Sequence, residues 1–166
     1  MEIPFYWDDG VNNMPSKEDI ALNLEGYMKE VLPVCLGDFS EFEGLEIETG
    51  TLKPKVEFRE GDILVNLEND IVVHGESMQK SIKQTSAIIP IDFSYVYLTA
   101  ELIMAEQELV GNVIPLGYLT NLAEERNFIY ELEYITDNAI VMKINFIDQE
   151  FFFVFGLKYP WGEDGI

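Results

Sequence analysis

Two segments of the chain carry apolar residues at helical spacing. Ser16 is placed to cap the first helix, with Asp19 three residues later as in a capping box. Pro33 is expected to end or kink this helix, with one further turn before Gly37. Its predicted apolar stripe is Ile20, Leu24, Tyr27, Met28 and Val31. The second helix, from residue 92 or 94 to 110, has the predicted stripe Tyr95, Leu98, Leu102, Ala105 and Leu109.

The remaining apolar residues alternate with polar ones, which is the period of a strand. The predicted strands are residues 45–49, 55–59, 63–67, 71–73, 79–91, 128–135, 140–147 and 151–157. Pro90 places the strand 79–91 at the edge or the end of a sheet, because proline cannot donate a ladder hydrogen bond. Residues 114–121 are predicted to form an apolar, packed loop.

This order of elements predicts an α+β fold, with two amphipathic helices packed on antiparallel sheet in the order helix, strands, helix, strands. Residues 1–15 are interpreted as an irregular aromatic and acidic arm, and residues 16–166 as one α+β domain. The half-units 16–91 and 92–158 have the same element order, so a weak internal duplication is one interpretation.

The charge balance is strongly acidic, with 31 acidic and 10 basic residues and a net charge of −21. This argues against binding to a nucleic-acid backbone or to anionic lipid, both of which require clustered Lys and Arg. The single Cys35 excludes an internal disulfide framework, and the single His74 excludes a site with two imidazoles. Neither a segment long enough to cross a membrane nor a signal peptide is recognised, which predicts a soluble chain or a soluble fragment of an anchored protein.

Several short segments together carry a resemblance to a known group of proteins. They are NMPSKE at 13–18, LPVCLGDF at 32–39, LEIETGTLKPKV at 45–56, DILVNL at 62–67 and LGYLTNL at 116–122. In this succession the chain, over residues 5 to 157, resembles uncharacterised exported proteins of small-genome DPANN archaea. Members of that group typically carry an N-terminal membrane anchor and an outward-facing α+β domain. The resemblance implies the outer face of a membrane or an extracellular location for a trimmed ectodomain, otherwise a cytoplasmic one, and it supplies no functional residue.

Carboxylates are the abundant reactive groups of the sequence. Asp8 and Asp9, with Asn12 and Asn13, offer oxygen ligands of the kind that calcium accepts, but their spacing differs from that of an EF-hand loop. Glu46 and Glu48 fall on one face of a predicted strand, roughly 6–7 Å apart, which is a spacing that an acid and a base can use. Solvated surface charge explains Glu46 and Glu48 equally well, and Asp8 and Asp9 are only weak calcium candidates, so no catalytic residue, metal centre or cofactor is predicted.

Four other side chains are candidates for chemistry or recognition. His74 is interpreted as a residue at a strand end near a turn, and Cys35 as a small buried hydrophobe. Tyr159 and Trp161 lie beyond the last strand, so this aromatic pair either folds back onto the body or contacts a partner. The common phosphate-binding, nucleophile and zinc motifs do not occur.

Three functional hypotheses follow. The first is a non-enzymatic cell-envelope or surface domain with a structural or protein-binding role, and with neither nucleic acid nor direct membrane contact. The second is a soluble acidic binder or inhibitor of a basic partner, of the immunity-protein or nucleic-acid-mimic type, whose charge accelerates association. The third is a carboxylate-based hydrolase that uses Glu46 and Glu48.

Overall fold

The computed structural model describes residues 3–37, 39, 42, 44–75, 78–148 and 151–161. It confirms the α+β class, with three helices and two sheets in this part of the chain. The chain divides into two compact units, which we call the first unit (Ser16–Ser94) and the second unit (Met1–Pro15 with Tyr95–Ile166). The N-terminal segment therefore belongs with the C-terminal part of the chain.

The first unit begins with helix α1, Lys17–Leu36. The capping box is present, because the Ser16 hydroxyl accepts from the Asp19 N–H at 3.1 Å and the Asp19 carboxylate accepts from the Ser16 N–H. The helix continues through Pro33 and ends at Gly37, whose φ of 64° lies in the left-handed region.

The predicted stripe of α1 was wrong in part. Leu24 and Tyr27 are exposed, whereas Glu25 is buried on the same helix. Helix α1 packs against strand β4 (Lys53–Phe58), and the position that meets the strand is occupied by a carboxylate. Apolar spacing missed Glu25 as a buried position of the helix, because the backbone of β4 requires a hydrogen-bond acceptor at this point.

The sheet of the first unit is antiparallel throughout and is built around β5 (Ile63–Gly75). On one side of β5 lie β4, along residues 63–68, and β3 (Glu46–Thr49), along residues 71–74. On the other side, β6 (Met78–Ile89) follows β5 over its whole length. The two strands predicted at 63–67 and 71–73 are therefore one strand.

A β-bulge between Glu68 and Ile71 joins these two predicted strands. The polar pair Asn69-Asp70 has the composition of a turn, but the ladder to β6 continues on both sides of it, so the extra residue is absorbed without reversal of the chain. Gly50 donates its N–H to the Asp70 carbonyl at 2.9 Å. A Cβ at Gly50 would lie 2.8 Å from the Asp70 Cβ, so this close approach requires glycine.

The second unit contains a five-stranded sheet in the order β2-β1-β9-β8-β7. The strands are β1 (Phe5–Asp8), β2 (Val11–Asn12), β7 (Phe128–Thr136), β8 (Ala139–Phe146) and β9 (Phe152–Lys158). The prediction of an irregular arm was wrong, because β1 pairs parallel with β9 and places Tyr6 and Trp7 in the core. The strands β1 and β9 are distant in sequence, so no local pattern reveals this pairing.

Helix α2 (Phe93–Val110) confirms the second predicted helix, but its predicted stripe was wrong at Leu98, Ala105 and Leu109, which are exposed. Its buried positions are Phe93, Val96, Tyr97, Thr99, Ala100, Ile103, Met104 and Gln107. The helix is apolar on more than one side, so spacing does not select a single face.

A third helix, α3 (Leu116–Glu125), occupies much of the segment predicted as a packed loop. The loop prediction was wrong, although the segment is packed: Leu119 and Leu122 are buried in the core of the second unit. Pro115 and Gly117 favoured the prediction of a loop, but Pro115 stands just before the helix, where its missing N–H is not needed.

Candidate functional site

The free edge of β6 is an accessible backbone surface of the first unit. Among the strands that the structure describes, β6 pairs with β5 only, and each of its twelve residues is exposed. Because a strand presents hydrogen-bonding groups on both of its edges, the edge of β6 that faces away from β5 offers a row of N–H and C=O groups for pairing with another chain.

The opposite edge of the same sheet is formed by β4 and β3, and it is closed along β4. Pro54 lies within β4 and has no N–H to offer. The next outward donor, the N–H of Val56, is bound by the carboxylate of Glu25 at 3.0 Å. The closure therefore uses one proline and one helical side chain.

The electrostatics of Glu25 fit this role. The N–H of Val56 holds the pKa of Glu25 below its usual value, with further help from the Lys55 and Lys29 side chains. The Lys55 Nζ lies 3.4 Å from the Glu25 Oε1. A buried carboxylate with these partners stays ionised and keeps its acceptor oxygens turned to the strand.

Strand β6 has an unusual charge for this acidic chain. It contains Lys80 and Lys83 and no acidic residue. Apolar side chains are exposed beside them, with 65% of Met78 and 62% of Ile88 accessible. The edge therefore combines backbone donors and acceptors, positive charge and apolar surface.

A polar cavity of about 390 Å³ lies beside the bulge of β5. Its lining residues are Thr51, Lys53, Glu68, Asn69, Asp70, Lys83 and Gln84. Asn69 is buried and donates to the Thr85 hydroxyl at 3.4 Å, while its carbonyl oxygen has no hydrogen-bond partner among the described residues. Two lysines and two carboxylates line this cavity, so its charge favours neither an anion nor a cation.

The calcium candidates Asp8 and Asp9 are held by a lysine. The Lys158 Nζ lies 3.0 Å from the Asp8 Oδ1 and 2.8 Å from the Asp9 Oδ2. The hydrogen bonds to Asp9 and Asp8 raise the pKa of Lys158 above its usual value. Among the described residues, no group of three or more His, Cys, Asp or Glu side chains is arranged to hold a metal ion.

The aromatic pair beyond the last strand folds back onto the second unit. Tyr159 is buried, its hydroxyl donates to the Gln107 Oε1 at 2.8 Å, and burial raises its pKa. Trp161 stacks on Tyr159 with ring centroids 4.2 Å apart and donates its Nε1–H to the Asn112 carbonyl at 2.7 Å. Tyr159 therefore folds back onto the body, which is the first of the two predicted alternatives. Trp161 keeps part of its surface accessible.

The other candidates lie on the first unit. Glu46 and Glu48 are exposed on β3, and the Glu48 Oε1 lies 3.7 Å from the Nε2 of His74 on β5. The expectation that Cys35 is buried was wrong: it is exposed near the end of α1, beside Val34, which is 81% exposed. The last turn of α1 presents this side to solvent.

Comparisons with known proteins add no assignment to this geometry: no family model, no curated protein and no solved structure matches the chain. None of the helices in the described ranges has both the length and the apolarity needed to cross a bilayer.

In the sequence, Pro90 indicated that the strand 79–91 lies at the edge or the end of a sheet. This strand was not identified as a candidate site from the sequence. A signal was present, because residues 78–89 lack both acidic residues and regular apolar alternation in a chain with 31 acidic residues.

Proposed function

We propose that this chain is a non-enzymatic interaction domain of the cell envelope and that it binds other protein through the free edge of β6. The single observation that carries the proposal is the contrast between two edge strands of one sheet, β4 and β6. The β4 edge is closed by Pro54 and Glu25, whereas β6 is exposed along twelve residues. A strand left open over this length is suited to pairing with an extended segment of another chain.

The chemistry of β6 defines what such a segment contains. Lys80 and Lys83 favour acidic side chains directly opposite or diagonal to them, since opposite charges across strands stabilise pairing. Met78, Ile82 and Ile88 favour apolar side chains at other positions. The bound segment is therefore an extended strand in which acidic and apolar residues alternate.

The envelope location is supported by the resemblance to exported, membrane-anchored archaeal proteins. Fractionation of cells that express the natural full-length gene product tests this part. We expect the product in the envelope or extracellular fraction, and recovery in the cytosol alone would overturn the location.

The binding edge is tested by selecting random peptides, as long as β6 and displayed on phage, against the purified chain. We expect enrichment of acidic, strand-forming peptides that bind the wild type and Lys17→Glu but not Lys83→Glu. Lys17 lies at the start of α1, so these two variants have the same net charge and differ in where the lysine is lost. Failure to enrich peptides, or equal binding to both variants, would contradict the proposal that β6 is the binding edge.

A further inference from the structure

The second unit also has a free sheet edge, at β7. Within the described part of the chain, this strand is the last of its sheet and pairs with β8 only. The side chains of Phe128, Tyr130 and Leu132 face the core. The alternate positions Ile129, Glu131, Glu133 and Ile135 are all exposed.

The charges of β7 and β6 are opposite. Strand β7 contains Glu131 and Glu133 and no basic residue, whereas β6 contains Lys80 and Lys83 and no acidic residue. The Glu131 Oε2 lies 3.7 Å from the Lys143 Nζ on the neighbouring strand. Glu133 is opposite Val141 and, like Lys80 and Lys83, has no ion pair with any described residue.

We infer that β6 of one copy pairs with β7 of a second copy, so that the chain associates head to tail with itself. This inference rests on the proposed function, in which β6 is the docking edge, and it identifies the acidic strand that occupies it. An antiparallel register that places Lys80 opposite Glu133 brings these opposite charges together on one face of the joined sheets. Lys83 then lies opposite Tyr130 on the other face.

Pairing between identical edges is disfavoured by the same charges. Two β6 strands side by side bring lysines together, and two β7 strands bring glutamates together, which destabilises cross-strand contact. Lysine on an edge strand commonly prevents association. Here the lysines disfavour a basic strand and favour an acidic one, so the mixed pairing of β6 with β7 is the one that the charges favour.

Such a contact uses two different surfaces of each copy. It is therefore heterologous, and every copy added leaves one free β6 edge and one free β7 edge for the next. The assembly extends with concentration into a ring or a filament, in contrast to a closed two-fold dimer.

The net charge of −21 opposes association between copies. This repulsion acts over the whole surface, whereas the attraction acts between adjacent side chains. Salt at 0.15 M limits electrostatic interaction between exposed charges to about 8 Å, which weakens the long-range repulsion more than the cross-strand attraction. Association is therefore expected to strengthen between low ionic strength and 0.15 M.

Sedimentation velocity over a concentration series tests the inference with four proteins: wild type, Lys80→Glu, Glu133→Lys and the variant that combines both substitutions. We expect species larger than a dimer for wild type and about tenfold weaker association for each single variant. An equimolar mixture of the two single variants is expected to recover association, because the acidic β7 of one then meets the basic β6 of the other. The combined variant is expected to associate like wild type.

Controls of equal net charge are Lys17→Glu on α1 and Glu60→Lys in the turn before β5, and both are expected to associate like wild type. Recovery by mixing or by combining substitutions excludes misfolding as the cause of the loss.

The inference is overturned by a wild type that stays monomeric throughout, by association that neither substitution weakens, or by a mixture that does not recover. If the chain is monomeric but still selects acidic peptides that Lys83→Glu does not bind, self-association is excluded. In that case β6 remains the proposed binding edge, and its occupant is a different protein. If no peptide is selected either, the proposed function itself fails.

Discussion

Two edge strands of the first unit's sheet, β4 and β6, differ in how many backbone groups they offer for pairing with another chain. At β4, a proline removes one donor and Glu25 binds another, so the edge has little left to offer a second chain. At β6, no side chain of the described residues binds the outward backbone, and two lysines lie along the exposed strand. Closure of an edge strand in this fold therefore depends on one or two particular residues. No described residue closes β6 in this way, and its open edge calls for a functional explanation.

The closed edge depends most on Glu25. Glu25→Ala removes the acceptor and leaves the Val56 N–H buried without a partner, which is expected to cost about 1.5–3 kcal/mol in the free energy of unfolding. Glu25→Gln keeps an acceptor oxygen and is expected to lose less. Urea denaturation monitored by circular dichroism measures both, with Glu30→Ala, exposed on the same helix, as the control. Equal stability of Glu25→Ala and the control would show that the β4 edge is not held by this carboxylate.

Gly50, in the segment before β4, is expected to make the second-largest contribution to the stability of the sheet on its β4 side. Gly50→Ala places a Cβ 2.8 Å from the Asp70 Cβ, which belongs to the bulged strand and has little room to move. We expect a loss of about 1–3 kcal/mol from this overpacking. Gly26→Ala on α1 meets no atom within 4 Å and is expected to stabilise by about 0.5–1 kcal/mol. Thermal or urea unfolding of the two variants should therefore give shifts of opposite sign.

The pH dependence of stability should distinguish the two edges further. Because the folded pKa of Glu25 is lowered, its ionised form stabilises the fold above the unfolded pKa of about 4.3, and this contribution is lost as the pH falls through the folded pKa. The stability difference between wild type and Glu25→Gln is therefore expected to shrink as the pH is lowered from 7 through this range. Urea midpoints measured at each pH test this, and a constant difference would contradict it.

The open edge should show the smallest effect on stability. Lys83→Glu changes an exposed side chain that makes no ion pair with a described residue, so we expect the free energy of unfolding to change by less than about 0.5 kcal/mol. The same variant is expected to lose peptide binding. A large loss of stability would mean that Lys83 supports the sheet itself, and would weaken the comparison of a closed with an open edge.

Local patterns predicted much of the fold. Ser16 with Asp19 located the start of α1, and alternating residues located the strands, because capping and strand periodicity are set by neighbours in sequence. The faces of both long helices were predicted less well. Glu25 is buried where Leu24 was expected, since the identity of the buried position depends on a backbone group of β4, 31 residues away.

The candidate site was only partly visible in the sequence. Pro90 and the absence of acidic residues marked 78–89 as unusual, but whether a strand lies at an edge depends on its neighbours in the sheet. The same holds for β7, whose glutamates resemble ordinary surface charge until the strand order places them beside a free edge.

By itself, the sequence determined the α+β class, the capped first helix, most of the strands and the strong negative charge. These properties follow from the period of apolar positions and from counts of side chains. The tertiary structure alone decided that β1 pairs with β9, that Lys158 holds Asp8 and Asp9, and that β4 is closed while β6 stays open. Each of these requires groups far apart in the chain to meet, and the local pattern around one residue carries no information about the distant group that will satisfy its hydrogen bonds or its charge.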